Sequence, residues 1–223
     1  MAGTLDRGLT YGRHGRPGLD AGFTDADWGS SKDRKSIGGY AFILNGAAIS
    51  WVSKKQSTIA LSSTEAEYIA LVQAVKESLW LQGILSEVGA RKHLAGVRNI
   101  YVDDQGAIAL AKKPEFHPRT KHIDIQYHFI REHVGNGKIE LTYGPTGDMT
   151  ADVFTKALAE PAFRKHSLSL GLGDKSAMEQ NHQPDGDEAA YEGQTGASTS
   201  EGRYCESLAL THHLPPVAPS CPL

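Results

Sequence analysis

The pattern of apolar and polar residues becomes regular at about Leu19. LDAGFTD reads as a strand that ends in acids, and GGYAFILNGAAISWVSKK as two apolar runs joined by Asn45-Gly46, the strongest short hairpin signal. Three early strands, antiparallel to one another, are therefore expected. The period then changes. In ALSSTEAEYIALVQAVKE, Leu71, Val75 and, just beyond, Leu79 recur every fourth residue and predict a helix that runs to about Val88 and stops at Gly89. Ser62, Ser63 and Thr64 offer N-cap hydroxyls, and both Ser62-x-x-Glu65 and Thr64-x-x-Glu67 fit the capping box. NIYVD (99–103) predicts a fourth strand and QGAIALAK a small helix closed by Pro114. A loop with Arg119, Lys121 and His122 leads to a helix through Ile125, Phe129, Ile130 and Val134, terminated by Gly135 and Gly137. KIELTY (138–143) is a fifth strand by alternation, and a last helix is expected near Thr150. The order βββαβαβα places the chain in the α/β class: a five-stranded mixed sheet with helices on both faces.

Composition changes this picture only beyond Gly173. There the text turns rich in Gly, Ser, Pro, Asp and Glu, and too few large apolar side chains remain to offset the entropy of ordering it. Residues 173–223 are read as a disordered acidic tail, 19–172 as the folded domain and 1–18 as a lead-in. The formal net charge of -3 is uneven: +2 over 1–18, +1 over 19–172 and -6 over the tail. The two cysteines, Cys205 and Cys221, lie in the tail and suggest neither a disulfide framework nor a zinc site. No apolar run approaches the roughly 18 residues of a membrane span, and the N-terminus has no secretory apolar region. An intracellular protein, cytoplasmic or nuclear and not secreted, is expected.

Four acids occupy comparable places: Asp25 at the end of the first strand, Glu67 one turn into the first helix, Asp103 at the end of the fourth strand and Asp152 near the start of the last helix. Strand ends and helix starts of such a sheet meet at one edge. Any one of these acids alone is ordinarily a surface acid or a cap. Gathered together they would repel strongly, and such a cluster makes sense as a site for hard divalent cations with oxygen ligands.

The flanking text is more specific than the spacing. GFTDADWGSSKDRKSIGGYAFILNGAAISWVSKKQSTIALSSTEAEYIAL, IYVDDQGAIALAK, HPRTKHIDIQYHFIRE and ADVFTKAL, in that order, closely resemble the ribonuclease H domain of copia-type retrotransposon Pol polyproteins. The likeness covers about residues 19–172. GTLDRGLTYG resembles the end of the connection that joins reverse transcriptase to that domain, so residues 1–18 read as its remnant and the chain as a polyprotein's C-terminal piece. The resemblance implies a ribonuclease H-like fold and an endonuclease that hydrolyses the RNA strand of RNA–DNA hybrids during reverse transcription. It implies two Mg²⁺ ions about 4 Å apart, with Mn²⁺ able to substitute. Its implied partners are the RNA–DNA hybrid and the reverse transcriptase domain of the parent polyprotein, with no membrane.

Residue by residue, Asp25 in TDAD matches the first metal ligand, Glu67 in AEYIAL the second, Asp103 in IYVDDQ the third and Asp152 in TADVFTKAL the fourth. Glu65 is then the capping, solvent-side acid. Ser63, Thr64 and Gln105 stand where contacts to the RNA 2′-hydroxyl would be made, although each also reads as an ordinary helix-start residue. Lys54, Lys55, Arg119, Lys121 and His122 are candidates to track backbone phosphates, or are solvated charges. Trp28 and Trp51 are candidates to stack on sugar or base, although Trp51, inside a strand, is expected in the core.

Three features depart from the pattern of this fold or family. Many ribonucleases of the fold carry a histidine in the loop before the last helix, and TYGPTGDMTAD has none. Asp104 stands where the family usually has Asn. Thr150 replaces an apolar residue ahead of Asp152, where it either loosens the helix or caps it. The missing histidine fits copia-type domains, which generally look the same there. The Asp104 and Thr150 substitutions, with the unusual tail, give weight to an alternative, an inactive retrotransposon-derived remnant that keeps the fold and binds nucleic acid weakly at most. An integrase on a similar sheet would require a final Glu in place of Asp152.

Overall fold

The computed structural model describes residues 7–12, 20–112 and 124–174, all within the unit Met1–Gln183. After a short strand β1 (Arg7–Leu9) come β2 (Ala21–Asp27), β3 (Ile37–Leu44) and β4 (Ala47–Lys55), an antiparallel meander as expected. The β3–β4 turn works because Asn45 and Gly46 both take left-handed conformations, φ 52° and 83°, which match the twist of the two strands.

Helix α1 (Ser63–Glu87) starts at the Ser62 cap and ends where Gly89 turns left-handed, φ 74°. A 3-10 turn and the five-residue α2 (Leu94–Arg98), which the apolar pattern did not announce, lead into β5 (Asn99–Val102). Helices α3 (Gln105–Lys112) and α4 (Asp124–Gly135) then precede β6 (Glu140–Tyr143). Strand β5 runs parallel to both β2 and β6, giving one mixed sheet in the order β4-β3-β2-β5-β6.

The end of the unit differs from expectation. Near Thr150 the chain forms a 3-10 turn, Thr150–Phe154, and the α-helix α5 (Glu160–Ser169) begins only later. Pro161 explains the delay. It lacks an N–H and clashes with the preceding turn, so a helix can start at it but cannot run through it. Strand β7 (Leu172–Asp174) closes the unit by pairing antiparallel with β1.

Alternation along β3 divides the core between the two faces of the sheet. Tyr40 and Phe42 pack with Ile100, Val102 and Leu141 against α1 and α4, through Tyr68, Leu71, Val75, Tyr127 and Ile130. Ile43 faces the other way and packs with Phe23, Met149 and Ala151, while Ala41 meets Leu170, Leu9 and Phe154. Each large apolar side chain buried in this way contributes roughly 1.5–3 kcal/mol. Trp51 is not among them. It sits on the edge strand β4 and is 51% exposed, because an edge position has a neighbouring strand on one side only. Among the described residues no helix is long and apolar enough to cross a membrane. Gly173 and Asp174, the first two residues of the expected disordered tail, belong to β7, whereas Arg119, Lys121, His122 and the tail from residue 175 onward lie outside the described residues.

Candidate metal centre

Parallel pairing of β2 with β5 sets Thr24 beside Val102, so the next residues, Asp25 and Asp103, emerge together at the strand ends. Glu67 arrives from the first turns of α1, and its Oε1 accepts the Ala26 N–H at 2.9 Å. That bond ties the start of α1 to β2. One carboxylate oxygen from each of Asp25, Glu67 and Asp103 lies within 4.8 Å of the others. Asp152 reaches the same place from the Thr150–Phe154 turn. The Lys156 ammonium stands 3.1 Å from Asp152 Oδ2 and 3.6 Å from Asp25 Oδ1, and the Thr155 hydroxyl donates to Asp25 Oδ2.

Gly39 makes room for this turn. It lies opposite Asp25 in β3, and a Cβ there would come 2.8 Å from Phe154 Cβ and 3.0 Å from Thr155 Cγ2. Ser53 on β4 adds an anchor, its hydroxyl donating to the Phe154 carbonyl at 2.5 Å.

The electrostatics are those of acids crowded away from water. Burial pushes the Asp25 carboxyl above its ordinary range, and the Asp152 charge adds to this although Thr155 and Lys156 oppose it. Glu67 rises to about 9, first through burial and then through repulsion by Asp25. Asp103 and Asp152 are also raised, burial again leading. For Lys156, burial works against the charge, but the Asp25 and Asp152 carboxylates outweigh it and hold the ammonium above its usual range. Two buried carboxylate oxygens, Glu67 Oε2 and Asp152 Oδ1, have no hydrogen-bond partner among the described residues. Unpartnered, desolvated carboxylate oxygens converging from several elements are the kind of donor set that suits a hard divalent cation, so these residues are compatible with divalent-metal binding.

Glu65 caps α1 as expected, but not from the solvent side. Ser62 Oγ accepts the Glu65 N–H at 3.1 Å, and Glu65 Oε2 accepts the Leu61 N–H at 3.0 Å, so the return bond of the capping box falls one residue ahead of the cap. Yet Glu65 is only 7% exposed. Bending back over the cap tucks it under the preceding loop, away from solvent. Asp104 also caps: its Oδ1 accepts the Ala107 N–H at 2.9 Å, and its Oδ2 accepts the Thr64 hydroxyl at 2.9 Å. Asp104 thus links the starts of α1 and α3, while its charge adds to the upward push on Glu67 and Asp103. Thr150 is buried inside the 3-10 turn, whose cap position is Met149, so Thr150 caps nothing.

Ser63 and Gln105 are exposed at the first positions of α1 and α3. Lys54 is exposed on β4, and Lys55 pairs with Asp33 at 3.3 Å. The Trp28 indole N–H donates to the Ala60 carbonyl at 3.0 Å, which leaves its ring half exposed. Sequence reasoning passed over three residues that touch the carboxylates: Thr146, whose hydroxyl donates to Asp103 Oδ2 at 3.0 Å, and Thr155 and Lys156. For the last two a signal was present, since they follow Asp152 by three and four positions, the spacing that returns to the same side of a helical turn.

The strand order and the carboxylates at the strand ends define a ribonuclease H-like α/β protein with a candidate divalent-cation site. No family model matches the chain. Over 173 residues it is 42% identical to the Retrovirus-related Pol polyprotein from transposon TNT 1-94 of Nicotiana tabacum, and 39% identical to that from transposon RE2 of Arabidopsis thaliana. Each match covers 77% of this chain, but the chain spans only 13% and 12% of the lengths of those relatives. Its homologues are copia-type retrotransposon Pol polyproteins. Among solved structures, the N-terminal RNase H domain of rv2228c from Mycobacterium tuberculosis, as a fusion with maltose-binding protein, is similar at a TM-score of 0.41. The identity is 11%, over 67% of this chain and 96% of that one.

Proposed function

We propose that the chain is a ribonuclease H that hydrolyses the RNA strand of RNA–DNA hybrids, as part of a Pol polyprotein that also carries reverse transcriptase. The observation that carries this reading is the convergence of Asp25, Glu67 and Asp103 within 4.8 Å, with Asp152 beside them. Asp25, Glu67 and Asp103 would hold one ion, and Asp25 with Asp152 the second. When bound, Mg²⁺ would supply acidification of the attacking water and neutralisation of the leaving 3′ oxygen. The protein's own part is to fix those oxygens. Glu67 is aimed by the Ala26 N–H, Asp25 by Thr155 and Asp103 by Thr146.

Substrate would cross the exposed starts of α1 and α3. There Ser63 and Gln105 are open to a 2′-hydroxyl, whereas the Thr64 hydroxyl proton is committed to Asp104 and leaves only its oxygen to accept. Lys54 is available to phosphate, and the half-exposed Trp28 ring to a sugar or base. Products would carry a 5′ phosphate and a 3′ hydroxyl.

The rival reading, an inactive remnant, draws on the Lys156 ammonium lodged between two of the carboxylates. Cleavage of a labelled hybrid by wild type and Asp103→Asn, with Mg²⁺ varied, separates the two. The proposal expects Mg²⁺-dependent cleavage that the variant loses by at least a hundredfold. Equal activity in both, or none in wild type at any Mg²⁺ concentration, refutes it.

A further inference from the structure

The charge balance at the Asp25–Asp152 edge differs from that at Glu67. Glu67 Oε2 has no donor among the described residues, whereas Asp25 Oδ1 and Asp152 Oδ2 share a cation already present in the chain, the Lys156 ammonium at 3.6 and 3.1 Å. The three side chains differ in freedom. Asp25 and Asp152 are 2% and 6% exposed, and Lys156 is 33% exposed. The carboxylates are locked in place by the sheet and the turn. The lysine, one-third exposed, reaches them on a flexible four-carbon stem that can swing its ammonium out to water. Its attachment makes it an intramolecular ligand at high effective concentration.

We infer that Lys156 is a resident counter-cation that occupies the Asp25–Asp152 edge until a divalent ion displaces it, so that the two ions bind unequally. This rests on the metal-site reading above. At the Asp25–Glu67–Asp103 position the ammonium pairs with Asp25 alone, at the longer distance of 3.6 Å, so an ion there meets less competition. At the Asp25–Asp152 edge an incoming ion must first evict the ammonium, which weakens binding by the free energy of that ion pair. The lysine thereby also stabilises the metal-free protein, because it offsets the repulsion between two buried acids that burial alone would leave uncompensated.

The test is Mn²⁺ binding to the whole chain, read by calorimetry and by the free-ion magnetic resonance signal, with thermal unfolding in chelator as a second measurement. Wild type is expected to show one tighter and one weaker ion. Lys156→Met, which keeps the stem and removes the charge, should tighten the weaker ion on the order of tenfold and lower the melting temperature in chelator. Lys156→Arg, which keeps a cation, should leave the two affinities apart. An unchanged or weakened second ion in Lys156→Met overturns the inference and leaves the metal site standing. If that variant folds poorly in chelator, binding is read on protein refolded with Mn²⁺, and the same comparison with Lys156→Arg decides. Absence of Mn²⁺ binding in every protein overturns this inference and the metal-site reading together.

Discussion

Replacing Glu67 with Gln isolates the effect of crowding charge at the site. The Glu67 carboxyl rises from 4.5 to about 9, through burial first and the neighbouring Asp25 second. Between those two values the unfolded chain has released a proton that the folded chain still holds. The stabilisation linked to this group is therefore complete below pH 4.5 and is lost as pH rises through about 9. The slope can reach about 1.4 kcal/mol per pH unit, so moving from pH 5 to pH 7 removes up to about 3 kcal/mol from metal-free protein. That is a large share of the roughly 5–15 kcal/mol that holds a domain together. Asp25, Asp103 and Asp152, all raised, add losses of the same sign. Gln keeps an oxygen to accept the Ala26 N–H and cannot ionise. Urea unfolding in chelator at pH 5, 6, 7 and 8 should show wild type falling more steeply than Glu67→Gln, by about 2–3 kcal/mol over pH 5–7. Wild type should recover on adding Mg²⁺ more than the variant does. Parallel pH profiles for the two proteins would refute the reasoning.

Gly39→Ala should cost about 1–3 kcal/mol by forcing a Cβ against Phe154 and Thr155; a calorimetric melting curve checks this, and lifting the turn should also weaken Mn²⁺ binding. Ser62→Ala removes the acceptor for the Glu65 N–H and should cost about 1 kcal/mol in urea unfolding, with hybrid cleavage kept within a few fold. Trp51→Ala should change stability by less than about 1 kcal/mol, since the ring is half in water, whereas Phe42→Ala, fully buried, should cost about 3–5 kcal/mol by the same measurement.

Period and turn chemistry made most of the sheet legible. Asn45-Gly46 marked a hairpin because few other residue pairs accept left-handed conformations at both positions, and strand alternation located β2, β3, β4, β5 and β6 to within a few residues. The carboxylates were legible as a set because strand ends and helix starts of a mixed sheet share an edge. What escaped depends on contacts between segments distant in sequence. Helix α2 is five residues long, too short to show a period. Trp51 reads as core from its strand, but whether a strand is central or at an edge is a property of the assembled sheet. The burial of Glu65 follows from a loop folding back, and the role of Lys156 from a turn lying on Gly39. The first leaves no local pattern, and the second only the four-residue spacing from Asp152.

The pairing of Arg7–Leu9 with Leu172–Asp174 gives the folded unit a stem where the incoming and outgoing chain run side by side, Arg7 opposite Asp174. Tension applied through both flanks would peel these pairs apart one after another, like a zipper, instead of shearing them all at once. Such a stem would act as a mechanical fuse, yielding first under a pulling load and sparing the five-stranded sheet with its cluster of acids.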